Sequence, residues 1–340
     1  ESGPTDRIIG PEDVYGFFVD EEKLYEQGPG PLLDDDLRER ILDTIVPLAE
    51  PAPGLPTIPG YEVEGELESR QGVPYREFVG RHRFLKNRDK VRIKRYAMDP
   101  LLSPEQRVHE FNRVFRDMEA LESLDDNIYV ARAYDMVRDK EDELVFYLMS
   151  EWVGPETLRN FIDDRCEDGC GPGGQTWEAS RGIALHLLRA VKFMNEREII
   201  HRNLHPDVIY LTGEAGEVPL KIADFDYARV ANLRSIAGEL DEIGTEGYVA
   251  PEMWMDDDYD HRVDIFSAGA ILYELFSGQP LFGNLQDILE MQESWPDKRE
   301  ALPTEQIAEM LDALTHRDPD QRSDGLEAAI TQLEAGLEGG

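Results

Sequence analysis

Lysine is scarce in this chain: eight of its 340 residues, against 72 aspartates and glutamates and a formal net charge of −37. A surface this acidic repels nucleic acid and anionic membranes, which argues against functions that bind either one. Cysteine is nearly absent. Only Cys166 and Cys170 occur, in the stretch CEDGCGPGG, and a CxxxC pair with no further Cys and no nearby His cannot complete a four-ligand zinc site. The two thiols therefore read as ordinary reduced cysteines. Also missing are any run near the ~20 apolar residues of a membrane helix and any basic-then-apolar segment at the N-terminus. These absences lead to the expectation of a cytoplasmic protein with neither a membrane nor a nucleic-acid partner.

What is present is enough apolar sequence, 41% of residues, for one large bilobal domain or two ordinary ones. The acids are spread along the whole chain instead of gathering in a tail. They read as surface solvation in concentrated salt, as in a halophilic protein, with destabilisation expected at low salt. The first residue is Glu1, so the chain is expected to be part of a larger multidomain protein. There is no internal repeat. Residues 34–50 open on acids and place Leu37, Ile41, Ile45 and Leu48 at helical spacing. The segment PAPGLPTIPG that follows, residues 51–60, has four prolines and reads as an extended linker. Residues 1–60 are accordingly expected to be an N-terminal extension or the tail of a preceding module.

Beyond that boundary, REFVGRHRF and KVRIKRY alternate as strands do. A helix is expected from about Pro104 to Leu124, with Val108, Phe111, Phe115, Met118 and Leu121 on its apolar face. Two more strands are expected near Val130–Val137 and Leu144–Trp152. From Glu156 onward the long patterns SRGIALHLLRAVKFMNER and DIFSAGAILYELF are helical. The fold class is α+β, with a small sheet-rich lobe over 61–155 and a larger helical lobe over 156–340.

Five strings then follow in order: HRNLHPDVIYL at 201–211, KIADFDYARV, GTEGYVAPE, DIFSAGAILYEL and RDPDQR. Together they resemble a Ser/Thr protein kinase, a likeness that covers residues 61 to about 335 and implies the bilobal kinase fold. The likeness implies scaffold roles for several residues. Glu252 would form a buried pair with Arg322, Asp264 would accept hydrogen bonds from the catalytic-loop backbone, and His201 and Arg202 would anchor the neighbouring segments. GTEGYVAPE would form the loop that receives a substrate peptide, with Thr245 and Tyr248 as candidate phosphosites.

The positions that carry chemistry depart from the pattern. Active kinases use a catalytic-loop Asp as proton acceptor and an Asn five residues later as a magnesium ligand. Here those positions are Asn203 and Val208. A carboxamide oxygen is not basic near neutral pH, and valine cannot ligate a hard cation. The loop lysine is replaced by His205, only partly charged at neutral pH. The phosphate loop, GELESRQGVPYREFVG, keeps Gly72 but places Glu68, Ser69, Arg70 and Pro74 where backbone should approach phosphate.

Other parts persist. VRIK supplies Lys94 for the α and β phosphates, and Asp117 occupies the place of its usual glutamate partner, one methylene shorter. Asp224, opening DFD, matches the magnesium-binding acid, with Asp226 in place of glycine. LMSEWVGPETL resembles the adenine-binding hinge, with Ser150 as gatekeeper and Glu151 to Val153 along it. The likeness thus implies a pseudokinase: weak or no phosphotransfer, ATP and Mg held weakly if at all, and a protein partner engaged in a regulatory or scaffolding role. The alternative is an active atypical ATP-dependent Ser/Thr kinase, or a nucleotidyl transferase on the same fold, with His205 as base. PYREFVGRHRFLKNRDKVRIKRY and the altered HRN motif also resemble kinase-like domains attached to NERD modules in prokaryotic phage-defence proteins.

Overall fold

Alternating apolar residues build a five-stranded antiparallel sheet in the order β1-β2-β3-β5-β4. The strands are β1 (Tyr61–Glu66), β2 (Tyr75–His82), β3 (Val91–Ala97), β4 (Ala133–Arg138) and β5 (Val145–Glu151). In this computed structural model the described residues are 54–336, apart from 69–74, 86–89, 125–126, 166–170, 172–173, 175, 213–219, 231–243, 256–258 and 292–294. The expected helix at 34–50, linker residues 51–53, Gly72, Ser69, Arg70, Pro74 and both cysteines lie outside them.

The period-2 rule gives each strand of the sheet two distinct faces. On the outer face Phe78, Ile93 and Met149 pack with Ile58 and Tyr61. Across the inner face run three rows set by register: Val79–Arg92–Ser150, Glu77–Lys94–Leu148 and Tyr75–Tyr96–Phe146. Two cations therefore project from neighbouring inward positions of one strand.

Helix α1 (Pro104–Ser123) covers this inner face. Ser103 starts it with a capping box: its hydroxyl accepts from the Gln106 amide while the Gln106 side chain accepts from the Ser103 amide. The buried face is Val114, Asp117, Leu121 and Leu124, whereas Val108 and Phe115 are exposed. The expected apolar stripe thus holds at Phe111, Met118 and Leu121 and is corrected at Val108 and Phe115, because the buried face turns far enough to include the Asp117 carboxylate. The strand expected from Val130 also starts later. Val130 and Ala131 instead join the helical lobe, where Ile222 N donates to Tyr129 O at 2.7 Å and Ala131 N to Ile222 O at 3.0 Å.

The second lobe is built around α5 (Arg262–Ser277), which is buried from Val263 to Phe276 and mostly apolar, with Asp264 and Glu274 as its buried charges. Packed with it are α3 (Trp177–Glu196), α7 (Glu305–Leu314) and α8 (Pro319–Ala335). At Gly269 a Cβ would lie 2.6 Å from Thr315 Cγ2 and 2.9 Å from Leu314 Cβ, so only glycine permits this approach of α5 to the end of α7. Facing the sheet lobe are the hairpin β7 (Ile209–Leu211) with β8 (Leu220–Ile222) and the pair β6 (Ile199–Ile200) with β9 (Arg229–Val230). Shorter helices are α2 (Leu158–Arg165), α4 (Glu252–Met255) and α6 (Leu285–Glu290). The architecture is bilobal and α+β.

Candidate functional site

The inward row of β3 meets the helical lobe in a buried cluster of charge. Lys94 Nζ lies 2.5 Å from Asp117 Oδ2, 2.7 Å from Asp224 Oδ1 and 3.2 Å from Asp226 Oδ2. Burial by itself would strip the ammonium of its proton, but these carboxylates outweigh it and hold the Lys94 pKa well above its ordinary value. Burial pushes Asp117 up to about 6, opposed chiefly by Lys94. Asp117 also accepts from the Phe225 amide at 2.9 Å, and Tyr96 donates to Asp226. One short acid on α1 thereby ties the sheet lobe to the DFD segment.

Two residues earlier on β3, Arg92 occupies the space between this cluster and the hinge. Its Nε donates to Glu77 Oε1 at 2.6 Å, and its Nη1 lies 3.6 Å from Asp224 Oδ1. The guanidinium carbon stands 4.5 Å from the centre of the Tyr210 ring, a cation–π contact that reaches from the sheet lobe to β7. Tyr210 packs in turn with Ala131, Ala223 and hinge residue Val153. Glu151 accepts from Lys221 Nζ at 2.6 Å, and its backbone amide donates to Arg132 O at 2.8 Å. Ser150 sits beside Arg92 in register.

In the catalytic-type loop, Asn203 Oδ1 accepts from Thr245 Oγ1 at 3.0 Å. His205 Nδ1 lies 3.2 Å from Asp207 Oδ2. Val208 is buried in the main core and offers the cleft only hydrocarbon. Tyr248 is buried as well: its hydroxyl donates to Glu274 at 2.5 Å and accepts from Arg159 at 2.7 Å. Burial and the Glu274 charge raise its pKa, so the hydroxyl is held protonated.

The supporting frame is complete. Asp264 accepts from the amides of His201 at 2.7 Å and Arg202 at 3.0 Å, holding Arg202 at φ 66°. Burial pushes Asp264 up to about 6 against those two bonds. Arg202 donates to Tyr227 O at 2.5 Å. Arg322 makes a bidentate pair with Glu252 at 2.6 and 3.1 Å and also donates to His316 O.

Residues 83–332, more than half of the chain, match the protein kinase domain family. The chain belongs to the protein kinase family. Its kinase domain is 34% identical over 153 residues to the serine/threonine-protein kinase TIO of Arabidopsis thaliana, covering 44% of this chain and 10% of that protein. It is 34% identical over 138 residues to the serine/threonine-protein kinase ATG1 of Mycosarcoma maydis, covering 37% of this chain and 14% of the relative. With the serine/threonine-protein kinase PknB of Mycobacterium leprae (strain TN) it shares 33% over 137 residues, 40% of this chain and 20% of PknB. The chain spans less than a quarter of the length of each of these relatives.

Kinase domains generally bind ATP and Mg, and this cleft keeps part of that pattern, Lys94 with its acidic partner Asp117 and Asp224, but not all of it. Lys94, the phosphate ligand in the family pattern, is engaged by three carboxylates. Asp224, the metal ligand in that pattern, faces Lys94 and Arg92. The second metal position is the buried Val208. Sequence reading placed Lys94, Asp117 and Asp224 in the cleft but missed Arg92, Glu77, Tyr96 and Tyr210. The signal for Arg92 was visible, since VRIK puts two cations on one strand face. Its contact with Tyr210 spans 118 positions of sequence and could not be read there.

Proposed function

We propose that this kinase domain carries out no phosphotransfer and serves as a binding module, a pseudokinase whose activation segment or acidic surface engages a protein partner. The observation that carries the reading is Asn203. Where a carboxylate would draw a proton from the acceptor hydroxyl, an amide oxygen instead accepts the hydroxyl hydrogen of Thr245. The hydrocarbon at Val208, where the family pattern has a second magnesium ligand, supports it from the metal side.

A second reading, an atypical active kinase, is favoured by one contact, the His205–Asp207 pair at 3.2 Å in the same loop. An imidazole oriented by a carboxylate is a serviceable base. The deciding measurement is transfer of labelled phosphate from magnesium ATP to the protein itself and to basic peptides, in high salt. The expected result is no incorporation above a protein-free control. Steady incorporation that disappears in His205→Ala would establish the second reading instead.

A further inference from the structure

Between the hinge and Lys94 lies the stretch of cleft in which the kinase pattern seats a nucleobase. It is bounded above by the inner face of β3 and β5, at Arg92 and Ser150, and below by β7, at Tyr210. We infer that Arg92 stacked on Tyr210 is a built-in plug that takes the place of the nucleobase, excludes nucleotide from the wild-type cleft and joins the two lobes without a ligand. This rests on the pseudokinase reading and sharpens it, from a cleft that transfers nothing to one that admits nothing.

Distance makes the first case. Planar groups pack at about 3.5 Å, so a base inserted between the guanidinium and the phenol ring needs roughly 7 Å between them. They are 4.5 Å apart. Anchoring makes the second. Arg92 is buried, held by Glu77 at 2.6 Å and flanked by Asp224 at 3.6 Å. A base could displace it only by breaking the buried pair with Glu77, which is costly in low dielectric. Tyr210 is itself buried and packed with Val153, Ala131 and Ala223, which resists its displacement. Because Arg92 belongs to the sheet lobe and Tyr210 to the helical lobe, the stack also bridges the hinge, the task that a bound nucleotide would otherwise perform.

The test is thermal unfolding of the full chain with adenosine, magnesium ADP and magnesium ATP. Three proteins are compared: wild type, a Glu77→Gln/Arg92→Ala double variant that removes cation and anion together, and Tyr210→Leu, which leaves the Arg92–Glu77 pair intact. Wild type is expected to show no shift with any of the three. At least one variant should melt roughly 5 °C higher at a hundredfold excess over its dissociation constant. Adenosine alone should suffice, since the space opened is that of a base. A wild-type shift overturns the inference, and so do two folded variants that remain unresponsive. Wild-type protein that binds nucleotide yet transfers no phosphate removes the plug and leaves the proposed function standing. Wild-type phosphotransfer removes both.

Discussion

His201 is fully buried, with its ring 4.6 Å from that of Phe225 and Nε2 at 3.0 Å from Ala223 O. Burial lowers its pKa to about 4, against the weaker pull of that carbonyl. The unfolded chain, with a histidine near 6.5, binds the extra proton first as pH falls, so this residue's contribution to stability is lost progressively from about pH 6.5 down to about 4. Asp117 and Asp264, both raised to about 6, act in the opposite sense: the folded state takes their protons first, and acidification through that range favours it. His201→Gln, which keeps a donor for Ala223, should therefore lose less stability than wild type on moving from about pH 7 to about 4.5, by roughly 2 kcal/mol. Urea unfolding at the two pH values measures this. Parallel losses in both proteins would show that His201 does not titrate as described. At this scale the sequence was legible wherever a residue type and its motif agreed, as at Lys94 and Asp224. It was illegible at Arg92, whose meaning depends on a tyrosine contributed by the other lobe.

Among the elements, the short helix α4 is tied to α8 by Arg322. Arg322 has no exposed surface, yet it satisfies Glu252 and the carbonyls of His316, Arg262 and Arg317. Arg322→Ala should destabilise the fold by roughly 3–5 kcal/mol because it leaves a largely buried carboxylate without its cation. Adding Glu252→Gln to that variant should recover part of the loss. Chemical denaturation of wild type, each single variant and the double variant checks this, and strictly additive losses would mean that the two side chains are uncoupled. Element positions were readable where burial follows hydrophobicity: β3, β5, α3 and α5 emerge close to where their patterns place them. Of the stripe expected on α1, Phe111, Met118 and Leu121 do pack inward, whereas Val108 and Phe115 are exposed because the buried face turns to deliver Asp117 to Lys94. Likewise Val130 looked like the start of a strand because its apolar character suits either lobe, and hydrogen bonding to Ile222 settles its place.

For the molecule as a whole, the net charge of −37 sets the response to salt. Surface ion pairs such as Arg76–Glu66 and Arg81–Glu62 are exposed and add little. Repulsion among the surplus acids is then the dominant long-range force, and it weakens as the screening length falls from about 10 Å near 0.1 M to about 3 Å near 1 M. The melting temperature should climb steadily with potassium chloride over that range, and a flat or falling curve would remove self-repulsion from the account. The two-lobed α+β plan was legible at this scale because the order of motifs carries it. How the lobes are fastened was not, since that depends on four carboxylates and two cations from separate elements meeting out of reach of water.

That sealed meeting has a consequence for mechanics. Dissolved ions soften or stiffen the acidic shell, but they cannot enter a cluster in which Lys94 and its carboxylates are almost wholly covered. The skin of this molecule should therefore answer to brine more than its waist does, because the pairs that join the lobes are screened far less than the charges on the surface.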